Sequence, residues 1–225
     1  MLLASQVISA VGILLMVSAL AGLVVRRRYA DWWFFSLYLL AVASLSSVYH
    51  LGPAWYSPAF YQVKEVIFNV LRFAMALEIG LRIFRAFPGA MATARRLVFL
   101  VLLATLIAIL LVDVQGYRTF VKDVQPRILN GSVWLFSGLA GLILWYRLPL
   151  KPFYKGIVLS YVPYLLASTA LTSTMAERNF RNSDNLQLFN QLAYVVLVVY
   201  WNHVIWRRDR PAPAASDSTG LSGTA

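Results

Sequence analysis

A short stretch of the chain carries polar residues at a spacing that would bring them together on one side of a helix. At about 100° per residue, Glu65, Asn69 and Arg72 fall within about 60° of one another. A carboxylate, an amide and a guanidinium on one face have the chemistry to hold a small polar or anionic ligand. Glu78 and Arg82 follow on a second face, where their i,i+4 spacing favours an ion pair.

The overall composition indicates that these polar groups belong to a membrane protein. Of the 225 residues, 60% are hydrophobic and 13% are charged, whereas about 25% of residues are charged in an average soluble domain. A soluble domain of this size could not bury so much apolar side chain. The net charge of +11 does not indicate nucleic acid as a partner, because the basic residues lie between apolar stretches.

Few residues in this chain could carry enzymatic or metal chemistry. The absence of cysteine excludes disulfides and thiolate metal sites. The two histidines, His50 and His203, are predicted to lie on opposite sides of the membrane, so they cannot share a haem or another metal. No phosphate-binding loop or nucleophile motif is present. We therefore expect neither an enzyme nor a protein with a cofactor or metal.

Seven stretches are long and apolar enough to cross a bilayer, which requires about 20 mostly apolar residues. In chain order, predicted segments one to seven are 2–25, 32–51, 59–85, 96–112, 128–146, 154–175 and 186–206. Among the nine prolines only Pro163 lies inside a segment, which is typical of helical spans. The sequence predicts an all-α, seven-transmembrane-helix bundle that forms a single domain over residues 1–206. Residues 207–225, rich in Pro, Ala, Ser and Thr after a basic start, are predicted to be a disordered tail.

Basic residues concentrate at alternate connections between the predicted segments. These clusters are Arg26, Arg27 and Arg28; Arg85, Arg95 and Arg96; Arg147, Lys151 and Lys155; and Arg207, Arg208 and Arg210. The positive-inside rule then predicts an outside N-terminus and a cytoplasmic C-terminus, in a multi-pass protein of the cell membrane, most simply a bacterial inner membrane. The basic loops are expected to meet anionic lipid or a cytoplasmic partner.

Further polar stripes lie on predicted segments two, six and seven. Their members are His50, Ser168, Thr172, Gln187, Asn190, Gln191 and Tyr194. Most of these residues fall in the outer half of the membrane, so we expect an outward-facing polar cavity with Arg72 at its floor and with Glu65 and Asn69 beside it. Segments two, three, five, six and seven should form its walls, while segments one and four are expected to be peripheral. Alternatively, the same groups bond to one another across helices and hold the bundle together.

The cytoplasmic end of the bundle has its own candidate residues. Glu78 and Arg82 are expected there, and Asn202 is the residue of segment seven predicted to point inward. The stretch 60–84, with Glu65 and Glu78, resembles uncharacterised bacterial seven-helix membrane proteins of about this length. That resemblance implies the same fold and no particular activity.

These features favour a receptor-like or ligand-sensing module that binds a small polar or anionic ligand from outside. A second hypothesis is a small proton-coupled transporter with Glu65, Arg72 and Glu78 as a chain along segment three. A third is a structural membrane subunit, which the small residues Ser137, Gly138 and Gly141 would suit because they permit close helix packing.

Overall fold

The computed structural model describes residues 2–30, 32–52, 57–84, 96, 103, 125–146, 152–177 and 183–207. Within these ranges the chain forms six α-helices, each of which falls on a predicted segment. They are α1 Leu2–Val25, α2 Trp33–Leu51, α3 Pro58–Phe84, α4 Gln125–Trp145, α5 Pro152–Glu177 and α6 Asp184–Trp206. Predicted segment four (96–112), apart from Arg96 and Leu103, and the tail beyond Arg207 lie outside the described residues.

The six helices pack in a closed ring. Each helix contacts the next described helix along the chain, from α1 to α6, and α6 contacts α1. The contact between α1 and α6 is the most extensive, and Gly22 lies within it. A Cβ atom at Gly22 would lie 2.7 Å from Cγ2 of Ile205. Segment one was expected to be peripheral, and α1 does expose apolar side chains on its outer surface, but it also closes the ring.

Three of the helices are long and apolar enough to cross a membrane. They cover Ala4–Val25, Pro152–Met175 and Asp184–Trp206, and the shorter apolar stretches Trp33–Val48 and Asn130–Trp145 lie on α2 and α4. The outer surfaces of α1 and α6 expose large apolar side chains such as Leu14, Val24 and Val196. Water would hydrate such a surface poorly, whereas lipid would cover it. The fold is consistent with a helical membrane protein.

Aromatic side chains fill the space between α2, α5 and α6. Trp201 is fully buried, with its ring centroid 5.1 Å from Phe35 and 5.5 Å from Tyr161. Its indole Nε1 donates a hydrogen bond of 3.1 Å to Oγ of Ser160, so the polar atom of the buried ring is satisfied. These large rings, packed edge-on or tilted against one another, join the three helices.

The first turn of α2 is stabilised by a carboxylate from α3. Glu78 accepts hydrogen bonds from the backbone amides of Trp33 at 3.2 Å and Phe34 at 3.1 Å. Amides in the first turn have no partner inside their own helix, and the helix dipole favours a negative charge at this end. Arg82 donates to the same carboxylate at 3.4 Å, which is the expected i,i+4 pair, and to the hydroxyl of Tyr154 at 2.9 Å.

The last turn of α6 is stabilised at the same end of the bundle by arginines that follow α1. Arg26 donates to the carbonyl oxygen of Trp206 at 3.0 Å, and Arg28 donates to that of Ile205 at 3.2 Å. Carbonyls in a last turn lack intrahelical donors, and a positive charge there is favourable. Side chains from neighbouring elements thus hold the ends of α2 and α6 in place.

We predict that Glu78→Ala lowers the free energy of unfolding by about 1–3 kcal/mol, the cost of losing a helix cap together with charged hydrogen bonds. Glu78→Gln should cost less, because the amide oxygen can still accept a backbone hydrogen bond. Thermal unfolding of the purified protein in detergent measures both effects. Glu177→Ala, at an exposed carboxylate ending α5, is the matched control. Equal stability of the Glu78→Ala and Glu177→Ala proteins would contradict the capping role.

Candidate ligand-binding cavity

A cavity of about 420 Å³ opens at the end of the bundle where α1, α3 and α6 begin. It lies between α1, α2, α3, α5 and α6, and the exposed side chain of Gln187 lies among its lining residues. Most of the wall comes from the first halves of α1, α3 and α6 and the second half of α5, while Tyr38, Val42 and Ser46 extend along α2. The cavity therefore reaches from one end of the bundle toward its middle. Apart from tyrosines, the polar residues that line the cavity are Ser5, Ser9, Ser46, Lys64, Glu65, Arg72, Ser168, Thr172, Gln187, Asn190 and Gln191.

The structure brings most of the predicted ligand-binding residues to this cavity. Those that line it are Arg72, Glu65, Ser168, Thr172, Gln187, Asn190, Gln191 and Tyr194. Asn69 lies behind the wall, 1% exposed and bonded to Arg72. His50 is exposed and shares a hydrogen bond of 3.1 Å with the hydroxyl of Ser9, and it does not belong to the lining. It therefore lies beside the cavity and not in it.

One wall differs from the expected arrangement. Segment five, which is α4, was expected to form part of the wall. None of the described residues of α4 lines the cavity, and α1 contributes to the wall instead. Ser5, Ser9, Gly12 and Met16 of α1 line the cavity at spacings of four, three and four residues. This spacing places them on one helix face. A stripe of small and weakly polar residues is thus the sequence signal that would have identified this wall.

Arg72 lies at the floor of the cavity without a carboxylate partner. Its side chain is only 8% exposed, and its Nη1 donates a hydrogen bond of 3.0 Å to Oδ1 of Asn69. The buried Nε makes no hydrogen bond, and no carboxylate of the described residues lies within 4.0 Å of the guanidinium. Glu65, expected to serve this arginine, instead lies 3.7 Å from Nζ of Lys64. The positive charge at the floor therefore has no carboxylate of the described residues in direct contact, and Glu65 acts on it only from a distance.

Tyrosine side chains surround the guanidinium of Arg72. Arg72 interacts electrostatically with Tyr161, Tyr38 and Tyr164, and also with the carboxylate of Glu65. The Tyr161 hydroxyl donates to that of Tyr38 at 3.5 Å, and the ring of Tyr164 lies 5.4 Å from that of Tyr194. Phenolic oxygens supply dipoles but no negative charge, so they orient around the guanidinium without neutralising it.

Nearer the mouth, several polar groups bond to one another. The hydroxyl of Ser5 donates to Oε1 of Gln191 at 3.0 Å, which links α1 to α6. Thr172 donates at 2.8 Å to the carbonyl oxygen of Ser168 in its own helix. The Asn190 side chain differs, because its buried Oδ1 makes no hydrogen bond. Mutual bonding therefore accounts for part of the polar stripe, and Asn190 and Arg72 retain unused hydrogen-bonding capacity.

The residues predicted for the cytoplasmic face lie away from the cavity. Glu78 and Arg82 stabilise the start of α2, as described above. Asn202 points inward, as expected, and its amide donates to the carbonyl oxygens of Leu15 at 2.8 Å and Val198 at 2.9 Å. His203 is exposed. These side chains hold helices together and do not form a second binding site.

The chain matches no protein-family model, no curated protein and no solved structure. The resemblance of residues 60–84 to bacterial seven-helix proteins stays a prediction. The functional proposal below therefore depends on the geometry of the cavity.

If Arg72 serves a ligand and not the fold, replacing it by an apolar residue should cost little stability. We predict that Arg72→Met unfolds at a temperature no lower than the wild type, because it removes a desolvated charge as well as one hydrogen bond. Thermal unfolding in detergent measures this effect. The Asn69→Leu substitution is combined with Arg72→Met, because the Asn69 side chain would otherwise lose its hydrogen-bond partner. A loss of about 3–5 kcal/mol, the usual effect of breaking a buried ion pair, would identify a structural charge instead.

Proposed function

We propose that this protein is a receptor-like, ligand-sensing module of a bacterial inner membrane that binds a small anionic ligand in the cavity above Arg72. The observation that carries the proposal is the guanidinium at the cavity floor, which is buried, lacks a carboxylate and keeps hydrogen-bond donors unused. An anion entering from the mouth would supply both the missing charge and the missing acceptors.

The position of Arg72 makes this charge expensive to maintain. It is residue fifteen of the 27 in α3, close to the middle of a helix proposed to cross the membrane. An arginine at the centre of a spanning helix costs about 2.5–3.5 kcal/mol on insertion scales. A paired structural arginine would recover that cost within the bundle, whereas Arg72 has only the Asn69 amide oxygen as a partner among the described residues. A ligand site accounts for the arginine better than a packing role does.

The proposal includes seven spans, with predicted segment four as the seventh, an outside N-terminus and a cytoplasmic C-terminus. The distribution of basic side chains supports this orientation. Arg26, Arg28, Arg82 and Arg207 all lie at the end of the bundle opposite the cavity mouth. The positive-inside rule assigns that end to the cytoplasm. The mouth would then face outward, and a ligand would arrive from outside the cell.

The role of Glu78 favours a receptor over a proton-coupled transporter. A relay along α3 would require Glu78 to bind and release protons. Its carboxylate is instead held in place by two backbone amides of α2 and by Arg82. Protonation there would weaken the start of α2 at each cycle, so a structural role for Glu78 is the simpler interpretation.

Acetate, the smallest common carboxylate, tests whether Arg72 binds anions. We predict that sodium acetate raises the apparent melting temperature of the purified wild-type protein in a concentration-dependent way, because a ligand that binds only the folded state stabilises it. Arg72→Gln should abolish this shift. Arg27→Gln, which removes an exposed arginine at the opposite end, should leave it intact. Identical shifts in all three proteins would mean that acetate acts as a general salt, and the proposal would be wrong.

A further inference from the structure

We infer that the ligand of this cavity is an aromatic monocarboxylate, with its carboxylate paired to Arg72 and its ring against the aromatic side chains of the lining. This inference rests on the proposed function and specifies the chemical class of the ligand. Three features carry it: the unused hydrogen-bond donors of Arg72, the charge balance of the lining, and the aromatic rings in the wall.

The guanidinium of Arg72 suits a carboxylate. It carries five N–H donors, and among the described residues only the hydrogen bond from Nη1 to Asn69 uses one of them. Its Nε is enclosed by protein atoms, so a ligand meets the Nη groups, whose N–H donors form strong and oriented hydrogen bonds with the oxygens of a carboxylate.

The charge balance of the lining indicates a single negative charge. The charged groups among the described lining residues are Lys64, Glu65 and Arg72. Lys64 and Glu65 lie 3.7 Å apart and largely offset each other, so Arg72 leaves one net positive charge. A phosphate ester carries about −1.5 to −2 near neutral pH, which would leave excess negative charge in a poorly hydrated site. A monocarboxylate balances the site without this excess.

The wall above Arg72 indicates a ring-shaped body on the ligand. Rings of Tyr38, Phe68, Tyr164 and Tyr194 line the cavity, together with aliphatic side chains of α1 and α6. The rings of Tyr38 and Phe68 lie 6.4 Å apart at an interplanar angle of 66°. Aromatic rings pack favourably edge-to-face or offset against one another. The volume of about 420 Å³ also exceeds what an inorganic ion or acetate would fill, so the cavity has room for an aromatic ring beside the rings of its wall.

Four probes separate the contributions of charge and ring. Benzoate carries both, acetate lacks the ring, benzyl alcohol lacks the charge, and terephthalate carries a second charge. Binding to the purified full-length protein in detergent is measured by calorimetric titration. We expect benzoate to bind at least about tenfold tighter than each of the other three, since burial of a ring or pairing of a charge contributes more than about 1.4 kcal/mol.

Substitutions assign these contributions to residues. Arg72→Lys keeps the positive charge but loses the planar guanidinium with its several N–H donors, so benzoate should bind about tenfold more weakly. Phe68→Leu removes a cavity ring while keeping an apolar side chain, and it should weaken benzoate binding without changing that of acetate. Phe73→Leu alters a buried ring of the same helix that does not line the cavity, and it should change neither.

The outcomes distinguish failure of this inference from failure of the proposed function. If acetate binds through Arg72 but benzoate binds no tighter, the anion site stands and the aromatic ligand class is wrong. If benzyl alcohol binds as tightly as benzoate, the cavity selects an apolar ring and not a carboxylate, and the inference is again wrong. If neither carboxylate distinguishes the wild type from Arg72→Gln, the proposed function itself fails.

Discussion

A buried positive charge that contacts no carboxylate of the described residues is the constraint around which this bundle is organised. Arg72 lies near the middle of α3 with one amide oxygen as its hydrogen-bonding partner among the described residues. A guanidinium in such surroundings requires dipoles, water or an anion, because the cost of desolvation is otherwise unmet. The tyrosines supply dipoles, and the cavity above admits water or a ligand. The closed ring of helices and the polar lining are both arranged around this requirement.

The two ends of the bundle differ in a way that suits a binding site. At the end opposite the cavity mouth, charged side chains stabilise the ends of α2 and α6, and the rings of Trp32 and Tyr154 stack with centroids 4.9 Å apart. At the cavity end, the described polar groups leave space between helices. If the cavity binds a ligand as proposed, the packed base would hold Arg72 in position beforehand, and this would reduce the entropic cost of binding.

Much of the fold follows from local features of the sequence, whereas the partners of the charged groups depend on packing. Apolar length and proline placement predict where the described helices lie, and helical spacing gathers Ser168, Thr172 and Gln191 on the cavity wall. The pairing of Glu65 with Lys64, and not with Arg72, depends on side-chain reach that spacing alone does not determine. The wall formed by α1 was missed because its face is made of small residues that carry little polar signal.

The capping role of Glu78 was equally hidden from the sequence. It depends on where α2 begins relative to α3, and Trp33 and Glu78 are separated by 45 positions in the chain.

The most direct test of the whole account asks whether water from the mouth reaches Arg72. The natural chain has no cysteine, so Arg72→Cys, Ser168→Cys and Leu166→Cys can each be probed in intact bacterial cells with a membrane-impermeant thiol reagent. The account predicts labelling of the first two and none at Leu166, which is exposed on the outer surface of α5. Folded Arg72→Cys protein that stays unlabelled while Ser168→Cys reacts would contradict it, because the floor would then be closed to any ligand.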